Sequence, residues 1–326
     1  IFHCLDDSRH EYIEDGALLV EDGRVVSVGG AGDVPGDTHV EDHRGKLILP
    51  GFIDCHVHYS QLDIVAAYGE QLLDWLNRYA YPEEAKFSDP AYAREVADAF
   101  LDQLLMNGTT TALVFATVHP QSVDAIFGAA EERNMRLIAG KVLMDEHCPE
   151  ELRDTPESAY AESKALIEKW HGRGRLGYAI TPRFALTSSE EQLAAAGRLA
   201  AEYPDTWLHT HLAENTEEVE AIKRQFPDSR SYLDVYERNG LLRERSVFAH
   251  CLYLDDDDRA LMAEKGAAGA FCPTSNLFLG SGLFDLDAMD KAGVNVGLAT
   301  DVGGGTSLSM LRTMDEAYKV LHLKGQ

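Results

Sequence analysis

The chain has 326 residues, 45% hydrophobic and 26% charged, which suits one large α/β domain with an appendage, or two ordinary domains. Its 55 acidic residues against 29 basic ones leave a net charge of −26. So acidic a surface repels phosphates, which argues against nucleic-acid polymers and anionic membranes as partners.

Residues 1–48 read as a partial β-sandwich module. Within it Ala17–Gly29 forms a strand, an Asp22-Gly23 hairpin turn and a second strand, too little to bury a core alone. At Leu49-Pro50-Gly51 the rhythm changes, and residues 49–326 alternate apolar strands with amphipathic helices. The strands are expected at Ile48–His56, Thr110–Ala116, Arg136–Leu143, Leu176–Thr181, Trp207–His211, Ser246–His250, Ala267–Cys272 and Val294–Asp301. Helical periodicity marks Ala91–Met106, Glu157–Trp170, Glu190–Glu202, Arg259–Lys265 and Leu308–Leu323. This α/β alternation predicts parallel pairing and a (β/α)8 TIM-type barrel with a small N-terminal β module. An open doubly wound sheet is disfavoured, because no Gly-rich phosphate fingerprint opens the first helix. The run Asp255–Asp258 reads as a solvated helix start, since carboxylates favour the positive end of a helix dipole.

The five cysteines are odd in number and lack C-x-x-C spacing, so neither a disulfide framework nor a cysteine-rich zinc site is expected. No run approaches the roughly 18 apolar residues of a membrane span, and no basic-then-apolar signal segment opens the chain. The expected location is cytoplasmic.

Reactive side chains recur where the strands end, the mouth at which a barrel assembles a site from several strands. In Phe52-Ile-Asp-Cys-His56-Val-His58 strand alternation puts both histidines on one face, where their imidazoles can grip one metal ion. The fifth strand adds His209, His211 and then Glu214; the sixth ends at His250 and the eighth at Asp301. Singly, each has a bland structural role. Jointly, imidazoles and a carboxylate make a divalent-metal site that Zn²⁺ or Fe²⁺ fits best. His209 shares the face of His211 but sits deeper in the barrel. Glu214 follows His211 by three residues, where a carboxyl group can pass a proton between a water and a ring nitrogen.

The segments Pro50-Gly-Phe-Ile-Asp-Cys-His-Val-His, His211-Leu-Ala-Glu, Val247-Phe-Ala-His and Thr300-Asp301 resemble the amidohydrolase superfamily of metal-dependent hydrolases. Further segments are Trp75-Leu-Asn-Arg-Tyr-Ala-Tyr-Pro-Glu, Gly140-Lys-Val-Leu-Met-Asp, Thr181-Pro-Arg-Phe, Cys272-Pro-Thr-Ser-Asn-Leu-Phe-Leu-Gly-Ser-Gly and Asp301-Val-Gly-Gly-Gly-Thr. They are most similar to the guanine deaminases of that superfamily, over nearly the whole chain. The resemblance implies metal ligands His56, His58, His211, His250 and Asp301. It implies Glu214 as proton shuttle, with His250 and Asp301 acting on the water. Gln61, Arg183 and Phe184, with His211 and Asp301, would hold the purine. It implies hydrolytic deamination of guanine to xanthine and ammonia by a metal-activated water, and a homodimer. It also places the C-terminal half of the β module beyond Gln326. Cys251 stands where glycine is commoner, and Ser60 where proline is frequent.

Relatives with two metals carry a lysine at the end of the fourth strand. Here that strand runs Ala179-Ile-Thr-Pro-Arg-Phe, so one divalent metal per chain is expected, zinc before iron. Arg183 offers a planar donor fork suited to a purine carbonyl and its neighbouring ring nitrogen, and Phe184 a face for the ring. The expected partner is a small-molecule purine. One alternative is an aminohydrolase for cytosine, an oxidised purine or a triazine, against which Gln61, Arg183 and Phe184 weigh. Another is a non-catalytic barrel scaffold, but such relatives lose ligands that this chain keeps. Nucleic-acid editing deaminases carry an H-x-E with P-C-x-x-C signature that is absent.

Overall fold

The computed structural model describes residues 1–6, 9–68 and 71–326. They fall into two compact units, Ile1–Gly51 and Phe52–Gln326. In the first, β1 (Phe2–Cys4) pairs antiparallel with β2 (His10–Tyr12), and β3 (Gly16–Glu21) with β4 (Arg24–Gly30). Asp22 and Gly23 turn the second hairpin with φ of 49° and 73°, angles that match the twist of the strands they join. Val20, Val25 and Val26 stay exposed, as expected of two-stranded ribbons with little to bury.

In the second unit β5 (Phe52–His58), β6 (Thr109–Phe115), β7 (Arg136–Gly140), β9 (Leu176–Pro182), β10 (Trp207–Leu212), β11 (Ser246–His250), β12 (Ala268–Phe271) and β13 (Asn295–Leu298) pair in that order, always parallel. The short β8 (Val142–Leu143) runs on from β7 and also pairs with β9. The ring closes where His58 N–H donates to Val302 O at 2.7 Å and Asp301 N–H to His56 O at 2.9 Å. This is a (β/α)8 TIM-type barrel. Around it lie α1 (Leu72–Trp75), α2 (Tyr81–Ala85), α3 (Pro90–Met106), α4 (Pro120–Glu132), α5 (Pro156–Trp170) and α6 (Glu190–Glu202). The remaining helices are α7 (Thr216–Gln225), α8 (Tyr232–Arg238), α9 (Asp256–Glu264), α10 (Pro273–Phe278), α11 (Leu286–Ala292) and α12 (Met310–Lys324).

The strands are apolar runs because both faces are covered: every residue of β9 and β11 is buried. Each long helix buries a stripe. In α3 it is Ala93, Val96, Ala97, Phe100, Leu101 and Leu104, the i, i+3, i+4 spacing of one helical face. Full burial of a Phe or Leu of this kind stabilises by roughly 1.5–3 kcal/mol. Caps set the helix starts: Asp89, Ser189 and Asp255 accept from backbone N–H groups of the following turn. Asp255–Asp258 is thus a helix start, but not a wholly solvated one: Asp258 is buried, accepting from Arg230 and Ser231.

Several strand bounds differ from the sequence reading by one or two residues, and three differ by three or more. The first barrel strand begins at Phe52, not Ile48, because Pro50 has no N–H to give and Phe52 N–H is the one that reaches Gly108 O, at 2.9 Å. The third breaks after Gly140, whose position leaves no room for a side chain: a Cβ would lie 1.7 Å from Ala179 O. The eighth ends at Leu298 and not Asp301. Asp54 draws Thr300 aside, accepting from its N–H at 3.0 Å and its Oγ1 at 2.5 Å. Among the described residues no helix is long and apolar enough to cross a membrane.

Candidate active site

His56 and His58 leave β5 on one side, with Nε2 atoms 3.1 Å apart. His211, on β10, brings its Nε2 to 3.3 Å from that of His58. Asp301 sets Oδ1 3.2 Å from His56 Nε2 and 3.4 Å from His58 Nε2. Donor atoms of these four residues lie within 4.8 Å of one another. His250, the last residue of β11, faces the same centre: its Nε2 is 3.8 Å from Asp301 Oδ2 and 3.3 Å from Glu214 Oε2. That nitrogen is buried without a hydrogen bond, a costly state for a polar atom unless something else binds it. Three imidazoles, a carboxylate and this unpaired nitrogen fit a divalent cation. Cys272 borders the group, but burial pushes its thiol well above the usual range and it donates to Ala270 O.

The backbone is bent to make this convergence. Ala213, His250, Cys251 and Asp301 hold φ of 50°, 73°, 54° and 49°, left-handed angles that cost non-glycine residues about 1–3 kcal/mol each. The φ of Cys251 explains why glycine would suit that position. Behind the donors sits a second set of partners. His211 Nδ1 donates to Arg183 O at 2.6 Å, which leaves the Nε2 lone pair facing the centre. His56 Nδ1 meets His209 Nε2 at 2.8 Å, so His209 braces a donor from below and is not itself at the centre. The Asn276 amide lies 2.9 Å from His250 Nδ1.

Burial lowers the pKa of His58 to about 4 and of His250 to about 3, and holds His209 and His211 well below the usual value. Neutral imidazoles with free lone pairs are what a cation requires. Burial pushes Asp301 upward, but hydrogen bonds from His56 and His58 prevail and hold it well below the usual carboxylate range. Burial, with the charges of Asp301 and Glu218, holds Glu214 well above that range. The two carboxyl groups are pushed apart, one toward the charged form and the other toward the protonated form.

Glu214 stands on a fixed turn. Ser281 Oγ donates to its Oε1 at 3.1 Å, while Oε2 faces His250. Its backbone N–H and that of Asn215 donate to Glu218 Oε2 at 2.8 and 3.1 Å, and Tyr232 OH donates to Glu218 Oε1 at 2.7 Å. The donor cluster and Glu214 open onto a cavity of ≈ 410 Å³ including its mouth, walled by Leu72, Trp75, Leu76 and Leu279. Gln61, Arg183 and Phe184 line the same cavity. Buried Arg183 donates from Nη1 to Glu84 Oε2 at 2.6 Å, and its guanidinium lies 5.1 Å from the centre of the Tyr81 ring. Gln61 Nε2 donates to Glu84 Oε1 at 2.9 Å, and Gln61 Oε1 accepts from Gly303 N–H at 3.1 Å. Lys141, at the break after β7, is committed to Asp154 and lies 3.4 Å from Glu162.

The sequence reading gives Glu84, Ser281, Asn276 and Glu218 no role at the site. Ser281 and Asn276 fall inside the segment Cys272–Gly282 but have no ligand-like spacing. Glu84 sits beside Glu83, which pairs with Lys86, and no pattern separates the two.

The amidohydrolase family model matches residues 47–325. Guanine deaminase of Escherichia coli (strain K12) is 56% identical over 318 residues, covering 96% of this chain and 72% of that protein. A solved structure of E. coli guanine deaminase matches with a TM-score of 0.95 at 55% identity, over 98% of this chain and 75% of the other. Guanine deaminase from C. acetobutylicum, solved with guanine bound in its active site, gives a TM-score of 0.94 at 29% identity, over 99% and 78% of the two chains. This chain belongs to the amidohydrolase family, among its guanine deaminases.

Proposed function

We propose that the chain hydrolyses guanine to xanthine and ammonia, with one divalent ion held by His56, His58, His211, His250 and Asp301. The observation that carries this reading is that a metal-type donor cluster, a raised carboxyl at Glu214 and the guanidinium of Arg183 line one cavity. A divalent ion in such a cluster lowers the pKa of water, making hydroxide available near neutral pH.

The chain's own residues do the rest. Arg183 turns its remaining N–H groups to the ring carbonyl, Phe184 packs on the ring, and Gln61 and His211 complete the grip. The apolar wall of Leu72, Trp75 and Leu76 excludes bulk water. Asp301, kept anionic, takes the proton of the attacking water, and His250 orients that water beside it. Glu214, kept protonated, gives its proton to N3 as the water oxygen bonds to C2. Regaining that proton through Asp301, Glu214 then protonates the amino group; the C2–N bond breaks and ammonia departs. The hydroxyl proton left on C2 passes through Asp301 back to Glu214, leaving the carbonyl of xanthine. General acid and base groups need this proximity and this split of pKa values.

Zinc over iron, a homodimer and a cytoplasmic location belong to the same proposal. The family likeness supports all three. The test is product analysis: guanine should yield xanthine and ammonia in equal amounts. Ammonia from cytosine, an oxidised purine or a triazine but none from guanine would move the reading to another aminohydrolase.

A further inference from the structure

Glu84 is far in sequence from every donor of the cluster, and it is fully buried. Its two oxygens are divided between two cavity residues: Oε2 accepts from Arg183 Nη1 at 2.6 Å and Oε1 from Gln61 Nε2 at 2.9 Å. A buried carboxylate does nothing for solubility, and here it decides two orientations. Arg183 surrenders Nη1 to it while Tyr81 lies 5.1 Å from the guanidinium, which fixes where the other donors of the fork point. The Gln61 amide is held with its nitrogen toward Glu84 and its oxygen toward Gly303 N–H, 3.1 Å away on the segment that follows Asp301.

We propose that Glu84 is a positioning residue for the substrate: by aligning Arg183 and Gln61 it sets the preference for a purine that bears a ring carbonyl. This rests on the reading of Arg183 as the group that grips guanine. The chemistry demands a carboxylate, since each oxygen accepts from one donor. A glutamine there has one acceptor, and its NH₂ must confront either Arg183 or Gln61.

The test is steady-state kinetics of metal-loaded Glu84→Gln with two probes. One is the KM for guanine. The other is the inhibition constant of 2-aminopurine, which keeps the ring and the amino group but lacks the carbonyl. The guanine KM should rise by roughly tenfold or more, the share of one charge-assisted hydrogen bond, while the 2-aminopurine constant moves by less than about threefold. Metal content should stay at the wild-type level. Equal rises for both probes mean a loosened cavity, and an unchanged KM means a purely structural acid; either result overturns the proposal. Removing the charge leaves Arg183 buried without a counter-ion. Glu84→Asp therefore serves as a second variant, keeping the charge but withdrawing the carboxylate by one methylene. The same split, of at least about fivefold, is expected there, and its absence in the folded protein is equally fatal. A wild-type protein that leaves guanine untouched sinks the functional reading itself. Guanine turnover in wild type with an unmoved variant KM sinks this inference alone.

Discussion

Glu214 concentrates the chemistry of one residue. Its carboxyl is fixed on one oxygen by Ser281 and turns the other to His250, 3.3 Å away. Glutamine keeps the size and the hydrogen bond from Ser281 but cannot exchange a proton at neutral pH. Glu214→Gln should retain the metal and the fold and lose about 10²- to 10⁴-fold in kcat. If Glu214 only began α7, the cost would be at most about 1 kcal/mol of stability with near-normal rates. Kinetics and metal content on one preparation decide between the two. Near-normal turnover would leave the mechanism without a proton carrier.

At the scale of elements, the barrel is intolerant where strands touch and permissive where helices face outward. Gly140 ends β7, and a Cβ there would lie 1.7 Å from Ala179 O of β9. Gly140→Ala forces the two strands apart and should cost about 3 kcal/mol or more in chemical denaturation. Gly128 lies inside α4, and a Cβ added there would meet only Arg94 Nη1, at 3.7 Å. Gly128→Ala should stabilise by up to about 1 kcal/mol, because alanine loses less backbone entropy in a helix. A stability loss smaller in Gly140→Ala than in Gly128→Ala would contradict the packing described for β7 and β9. The long apolar strands and striped helices are legible in sequence because burial imposes period two or period 3.6 on them. The bounds are not: the end of the eighth strand depends on Asp54 capturing Thr300, a contact between residues 246 positions apart.

For the whole molecule, the donor cluster is also a tie. Its members come from the ends of β5, β10 and β11 and from the segment after β13, so an ion bound by all of them holds both sides of the barrel seam. Chelation should lower the unfolding temperature as well as abolish turnover, because a ligand that binds only the folded state adds stability in proportion to RT ln(1 + [L]/Kd). Both should return together with one equivalent of divalent ion per chain. Recovery that needs two equivalents would overturn the single-metal proposal, which rests on the missing fourth-strand lysine and on Lys141 being committed to Asp154 and Glu162.

The sequence by itself determines the barrel and the identity of its reactive strand ends. Strand alternation puts His56 and His58 on one face, and chain order puts His211 and His250 at the ends of two other strands and Asp301 just past a third. These are local regularities, imposed by backbone geometry and read without knowing any neighbour. Tertiary structure alone decides what stands behind them. That Glu84 serves Arg183 and Gln61, that Ser281 holds Glu214, and that His209 supports His56 instead of joining the donors are facts about side chains meeting across the barrel. Such meetings leave no periodicity in the chain, because they depend on which loops the closed ring brings together, and a buried polar group accepts whichever partner arrives.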